Sequence, residues 1–432
     1  MTEIKPFKGV RYNSKLVDLS MVVAPPYDVI NEAQQEMYYK RHPYNVIRLI
    51  LGKQHVDDNE KNNRYTRARR FIDEWIQSHV LIKDDIPSIY VYIQRFKIHG
   101  KTYERHGFIA LLRLESNVYT HEKTLSKPKE DRFELMKACE ANLSPIFVLY
   151  DDEKRCVECI TISPKIHTLL AHIKEENEEH FLYSVTDEKV INTVKNMLSK
   201  QRVYIADGHH RYETAIRYRD YMFSLYGRNE DASYNYIMAY FTNISDEGLV
   251  ILPTHRVVHD VSYSNEEFLE KVKPIFDVSI FSERSDKPVL DKWIKEIEKG
   301  GKAFGVKFYG DDHLYILHNY RQNRLKNDPT HDVLKSLDVF ILNKEILEGI
   351  LGIPESTFTS GGKISYFHEL DEALVSMKAG DVIFVLNPPS AKDVKAVALH
   401  SLNMPQKTTF FYPKLLSGLV FHMFNPKNAF EK

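Results

Sequence analysis

Cysteine is nearly absent. Three cysteines in 432 residues, Cys139, Cys156 and Cys159, cannot staple a secreted fold and fit a reducing compartment. Cys156 and Cys159 have C-x-x-C spacing, but a zinc site needs two further ligands, and His167 and His172 are the only nearby candidates. Ordinary, partly buried thiols are expected. No run of 18 apolar residues and no apolar leader pattern occurs, so a soluble, cytoplasmic protein is expected. An excess of charge is missing too: 59 Lys and Arg face 60 Asp and Glu. That removes the bulk electrostatic argument for a nucleic-acid partner. The most basic stretch is the helix predicted over 62–79, where Arg64, Arg67, Arg69 and Arg70 read as a solvated face opposite Ala68, Phe71, Trp75 and Ile76. No Walker A string, no kinase-type glycine-rich loop and no H-E-x-x-H are present, and no internal repeat or low-complexity tract interrupts the chain.

Apolar residues make up 43% of the chain, enough for real cores, and the length suits two or three domains. Helical and strand periods alternate, which predicts a multi-layer α/β (α+β) architecture in three sections, 1–115, 116–260 and 261–432. In the first, strands are predicted at 5–12 and 46–51, a helix at 31–41, and a hairpin from 88–98 and 102–114. In the second, helices are predicted at 133–141, 167–179, 190–198 and 209–222. Its strands are predicted at 144–150, 203–206, 234–243 and 249–258, the last broken by Pro253. In the third, helices are predicted at 265–272, 289–298, 332–351, 369–378 and 391–400. Strands are predicted there at 278–281, 303–308, 314–318, 364–367 and 382–386.

The densest chemistry lies in VYIADGHHRYETA, residues 203–215. A buried strand runs into Asp207 and Gly208, and an amphipathic helix starts at His209. Asp207 suits an N-cap, and Gly208 permits an unusual backbone angle beside it. A helix N-terminus offers free N–H groups and a positive dipole end to an anion. A merely capped helix would not need His209, His210 and Arg211 as well. Other polar clusters could join this turn. They are His121 and Glu122 in THEKT, Lys127 and Arg132 in KPKEDR, Thr254, His255 and Arg256 after Pro253, and Lys407 in a proline-punctuated stretch, 404–419. Asp28 sits on the stiff APPYDVI loop.

So many cations at a helix start suit phosphate oxygens, and a nearby carboxylate can activate a hydroxyl or water or hold Mg²⁺. Phosphoryl transfer asks for little beyond such positioning and charge neutralisation. A zinc hydrolase using His121, His209, His210 and Asp207 competes with this reading, though adjacent His209 and His210 cannot easily face one site.

The motifs resemble, from end to end, the bacterial and archaeal family catalogued as domain of unknown function 1015. They are Pro6, Phe7, Gly9, Arg11 and Tyr12, then APPYDVI, NVIRL, THEKTLSKPKEDR, ANLSPIF, ADGHHRYETA, LPTHR and MPQKTTFFYPKLLSGL. Locally, ADGHHRYETA is similar to the turn of the ParB/sulfiredoxin-like fold, which binds nucleotide phosphates at a helix N-terminus. Archaeal kinases of free L-serine share Asp207–Arg211 and the acid matched by Glu122. A cysteine that sulfiredoxins carry is replaced by His209, and the DNA-binding module of partition proteins has no counterpart. The resemblance implies a ParB/sulfiredoxin-like core flanked by α/β additions. It implies a phosphotransferase or phosphohydrolase using Mg²⁺ with ATP or ADP on a small hydroxylated metabolite such as free serine or phosphoserine. Glu122, Asp207 and His210 would be catalytic, with Asp207 the metal ligand. Gly208, His209, Arg211, His121, Arg132, Thr254, His255 and Arg256 would bind phosphate or nucleotide. Asp28, Lys127 and Lys407 would border the pocket. No membrane partner is expected, and a homodimer is compatible with the sequence. A non-catalytic nucleotide-binding regulatory protein remains the alternative.

Overall fold

The 88–98 and 102–114 stretches form the hairpin their alternation predicts, and it is the centre of a nine-stranded sheet. The computed structural model describes residues 1–98, 100–122, 126–161, 168–321, 324–358 and 362–425; the side chains of residues 126–128 and 324 are also outside this set. The chain divides into two units. The first takes residues 1–120, 124–250 and the segment from Pro413 onward. The second takes 121–123 and 251–412. This differs from the three sections expected, because strands from 1–115 and 116–260 share one ladder.

In the first unit the sheet strands are β1 (Ile4–Lys5), β2 (Ile89–Ile98), β3 (Lys101–Arg113), β4 (Val118–Tyr119), β5 (Ile146–Tyr150), β6 (Thr168–Lys174), β7 (Glu178–Val185), β8 (Val203–Asp207) and β9 (Tyr236–Asn243). Their order is β4-β8-β5-β9-β3-β2-β7-β6, with β1 on β3. Most pairs are antiparallel; β9–β5 and β8–β4 are parallel. The unit's helices of ten residues or more are α1 (Glu32–Arg41), α2 (Arg64–Gln77), α3 (Ser126–Cys139), α4 (Glu188–Ser199) and α5 (His209–Tyr226).

Period-two alternation sorts the central strands onto two buried faces. Ile89, Val91, Phe108, Ala110, Ile146, Val148, Ile237 and Phe241 meet Tyr212, Ala215, Tyr218 and Met222 of α5. The other face carries Tyr92, Gln94, Arg105, Phe147 and Tyr240, all buried. Gly107 lies on that second face, where a Cβ would run into the Tyr240 ring and the Phe241 carbonyl. Gly107→Ala is therefore expected to lower stability by about 3 kcal/mol, read from the urea midpoint, because a packed ladder cannot open for one methyl.

A second cluster joins Ala68, Ile72 and Trp75 of α2 to Leu135 and Cys139 of α3. The α2 arginines all meet acids: Arg64 with Asp131, Arg67 with Asp58, Arg69 with Asp73, Arg70 with Glu74.

The second unit has a six-stranded sheet of β10 (His255–Val258), β11 (Asp277–Ser282), β12 (Phe304–Phe308), β13 (Leu314–His318), β14 (Ile364–Phe367) and β15 (Val382–Val385), in the order β11-β13-β12-β15-β10-β14. Trp293 and Ile297 from the helix Lys287–Lys299 pack on Val257, Leu314, Ile383 and Val385. The architecture is mixed α/β, as the alternation predicts.

Four local expectations are corrected. Residues 46–51 are not a strand: Ile47–Ile50 is one helical turn, its start fixed by Asn45, whose side chain accepts from the Ile47 N–H at 3.0 Å. A short, wholly buried apolar run carries no period that separates the two states. Of the helix expected at 167–179, residue 167 lies outside the described residues and the rest is not helical; β6 and β7 make a hairpin in which Ala171, Ile173, His180 and Leu182 are buried at alternate positions. The 249–258 strand splits at Pro253, Val250–Leu252 pairing with Phe410–Tyr412 and His255–Val258 joining the six-stranded sheet. The 332–351 helix is three pieces, Asp332–Lys335, Asp338–Ile341 and a wider-wound Leu342–Glu348.

Candidate functional site

Strand β8 ends at Asp207 and α5 begins at His209, with one residue between them. Gly208 is itself the cap, at φ 91°. Asp207 is therefore not the N-cap that its residue type suggests: no side-chain bond closes the helix start, which frees the carboxylate for other partners. A Cβ at Gly208 would sit 3.0 Å from both Arg211 Nε and Ile146 Cγ2, and an L-residue is strained at that φ. Gly208→Ala should displace Arg211 and cost about 2 kcal/mol, measured by thermal unfolding.

Asp207 lies between two cations. Arg211 Nη2 donates to Oδ2 at 3.3 Å, and Lys414 Nζ is 3.5 Å from Oδ1. Burial would raise the carboxyl pKa. The charges of Lys414, Arg211 and His209 outweigh it and hold the group at about 2. Arg211 Nη1 donates to the Pro145 carbonyl, which fixes the guanidinium at the start of β5.

Lys414 arrives by a latch on the sheet's second face. Arg105 donates to the Pro413 carbonyl at 2.6 Å, Gln94 donates to the Lys414 carbonyl at 3.1 Å, and the Leu416 N–H donates to the Tyr92 hydroxyl at 3.4 Å. Arg105 and Gln94 are both fully buried.

Tyr27, Arg132, Asn142, Ser144 and Arg211 line a pocket of about 40 Å³. The Arg132 guanidinium stacks on Tyr27 at 3.9 Å and donates to the Ile50 carbonyl at 2.7 Å. Burial pushes the Tyr27 phenol up to about 12, against the pull of Arg132. Of the residues singled out in the sequence, Asp207, Gly208, His209, His210 and Arg211 make this corner, and Arg132 shares a pocket with Arg211. Asp28 is exposed beside it, and the Lys127 side chain lies outside the described residues. Lys414, Tyr27 and Ser144 are not among the site residues expected above, although all three stand in the quoted motifs.

His121, Glu122, Thr254, His255, Arg256 and Lys407 belong to the second unit. There Glu122 bridges Met404, whose N–H donates to the His121 carbonyl at 2.7 Å. Arg256 is 2% exposed. It donates to the carbonyls of Thr254 and, at 3.3 Å, Lys407, and burial lowers its pKa to about 10. Lys407 offers its backbone, at φ 57°, while its side chain is exposed. Thr254, Arg256, Lys302, Asp338, Asp393 and Thr408 line a polar cavity of about 240 Å³.

His255 is buried, and its Nδ1 accepts from the Leu386 N–H at 3.3 Å. Burial, then the charges of Arg256 and His368, lower its pKa to about 3. Between about pH 6.5 and 3 the unfolded imidazole binds a proton that the folded one refuses, so stability falls on acidification through that window. The urea midpoint should drop steadily from pH 7 to pH 4, and His255→Asn should flatten that slope.

Among the described residues, the one group of three or more His, Cys, Asp or Glu close enough to share a metal is His106, Glu158 and Asp246. It includes none of the residues of the zinc alternative. His167 lies outside the described residues, and His172 stacks on Phe181 at 4.3 Å. No described helix is long and apolar enough to cross a membrane.

Comparison with solved structures finds similar chains, among them three that are each matched over 72% of this one. A conserved hypothetical protein from Pyrococcus furiosus is 14% identical, 95% covered, with a TM-score of 0.33. A mutant free serine kinase in complex with ADP is 14% identical, 92% covered, with a TM-score of 0.35. SbnI with a C-terminal truncation, from Staphylococcus aureus, is 12% identical, 85% covered, with a TM-score of 0.33. Comparison with curated proteins finds no match. The family described as protein of unknown function DUF1015 matches residues 4–340, and the chain belongs to it.

Proposed function

We propose that the Asp207 corner binds a phosphate group, carried by ATP or ADP, and supports phosphoryl transfer to a small hydroxylated metabolite, free serine being the first to test. The observation behind this reading is a carboxylate kept anionic by Lys414 and Arg211 at the mouth of an 18-residue helix. Arg211, Lys414 and the first N–H groups of α5 would hold phosphate oxygens. A carboxyl held at about 2 is a poor proton acceptor near neutrality. Its suited role is charge stabilisation and ligation of Mg²⁺.

One carboxylate is enough for that ion only when phosphate oxygens complete its shell, so Mg²⁺ would come with the nucleotide. When bound, the ion would neutralise charge on the phosphates. In the transfer, the bond from the terminal phosphorus to its bridging oxygen breaks, the acceptor oxygen bonds to phosphorus, and the hydroxyl proton leaves to a base. Glu122 and His210 are the bases to test, each by itself. Water as acceptor makes the same corner a phosphohydrolase. The low basicity of Asp207 favours one second reading, nucleotide binding without turnover.

Phosphorus NMR with ATP, ADP, pyrophosphate or phosphoserine plus Mg²⁺ tests the proposal. Transfer or hydrolysis that Arg211→Met weakens supports it. Thermal stabilisation by nucleotide without turnover supports the second reading; at a hundred times Kd it amounts to about 2.7 kcal/mol. Neither effect with any donor overturns both.

A further inference from the structure

We infer that His106, Glu158 and Asp246 of the first unit form a site for one divalent cation of the zinc type, built from none of the residues of the Asp207 corner. His106 lies on β3, Glu158 on the short helix Cys156–Thr161, and Asp246 in the turn after β9. The Glu158 and Asp246 side chains are 7% and 1% exposed. His106 Nδ1 is 3.6 Å from Glu158 Oε1 and 3.6 Å from Asp246 Oδ2. That nitrogen is shut off from solvent and makes no hydrogen bond.

The orientation of each group is fixed from behind. His106 Nδ1 faces Glu158 and Asp246, while Nε2 lies 2.9 Å from Glu104 Oε1. This carboxylate–imidazole pairing is the usual support of a metal-bound histidine. Arg155 grips Glu158 through two N–H groups, one at 2.8 Å. The Gly248 N–H donates to Asp246 Oδ1 at 2.8 Å, and Oδ2 accepts from the His106 backbone N–H at 3.3 Å, which turns it toward the ring.

Arg155 Nη2, bonded to Glu158 Oε1 and 4.0 Å from Asp246 Oδ2, offsets part of the negative charge of the two carboxylates but leaves Nδ1 without a hydrogen bond. A proton on Nδ1 would draw one carboxylate in to roughly 2.8 Å. The observed 3.6 Å separations are too long for that bond. Ligand atoms held at ~2.1 Å around a tetrahedral zinc lie roughly 3.4 Å apart, close to the spacing here. One imidazole with two carboxylates suits Zn²⁺ or a neighbouring first-row ion.

Elemental analysis of the full chain purified without chelator, followed by stripping and titration with Zn²⁺ and Co²⁺, tests the site. One equivalent should bind, Co²⁺ should develop the visible absorption of a four-coordinate N/O site, and reloading should raise the melting temperature by several degrees. Asp246→Asn and His106→Gln should each abolish the cobalt band, and Asp207→Asn should leave it unchanged. Far-ultraviolet dichroism confirms that each variant is folded, and Glu158→Gln replaces any that is not. Zinc affinity weaker than about 10 µM, or binding that survives His106→Gln combined with Asp246→Asn, overturns the assignment.

Discussion

Asp207→Asn is expected to lower phosphoryl turnover by at least about a hundredfold, the scale of losing one charge-stabilising group in a preorganised site. The side chain keeps its shape, so the loss reports charge. A second effect accompanies it. The folded carboxyl is held at about 2 against an ordinary 3.8, a difference of about 2 kcal/mol. This stabilisation is fully present above the unfolded value and is lost as pH falls toward 2. The asparagine variant should therefore be less stable at pH 7 and nearly matched to the parent at pH 2. Steady-state assays and urea titrations across pH read the two effects separately. Unchanged turnover in a variant with the expected stability loss would take Asp207 out of the chemistry and leave it a structural ion pair.

Arg105→Ala should cost about 3 kcal/mol or more in folding. The guanidinium is fully buried, donates to the Pro413 carbonyl and the Gln94 amide oxygen, and lies over the Phe147 ring at 4.9 Å. Truncation leaves two acceptors unsatisfied and a cavity between aromatic rings. It also releases the segment that carries Lys414. Nucleotide affinity should fall with stability, and the Asp207 carboxyl should titrate at higher pH, followed by NMR of a labelled chain. A variant that loses stability while Asp207 keeps its low pKa would show that Lys414 is held by other means.

The corner was legible because its parts are contiguous: a strand, a left-handed glycine and a helix within nine residues. The long hairpin and the strands of the second unit were also legible, but not the order in which those strands pair, because short apolar runs bounded by turns mark strands without naming their partners. Three other things were hidden. Residues 46–51 and 167–179 carry patterns in which apolar content, or its absence, masks the period. The choice of Lys414 over Lys407 depends on which carbonyls Arg105 and Gln94 hold, contacts more than three hundred residues distant in the chain. On the APPYDVI loop the residue types point to the charge of Asp28, whereas the Tyr27 ring is what Arg132 covers.

The first unit is interrupted in sequence, its polypeptide resuming at Pro413 after residues 251–412. A ribosome adding 5–20 residues per second needs on the order of ten seconds or more to cross that interval. Throughout it, a nascent chain already displays Asp207 and Arg211 but no Lys414. The anion binding proposed for these three groups is thus deferred until Lys414 has been made, and any stop before Pro413 yields a product whose Asp207 lacks one of its two cations.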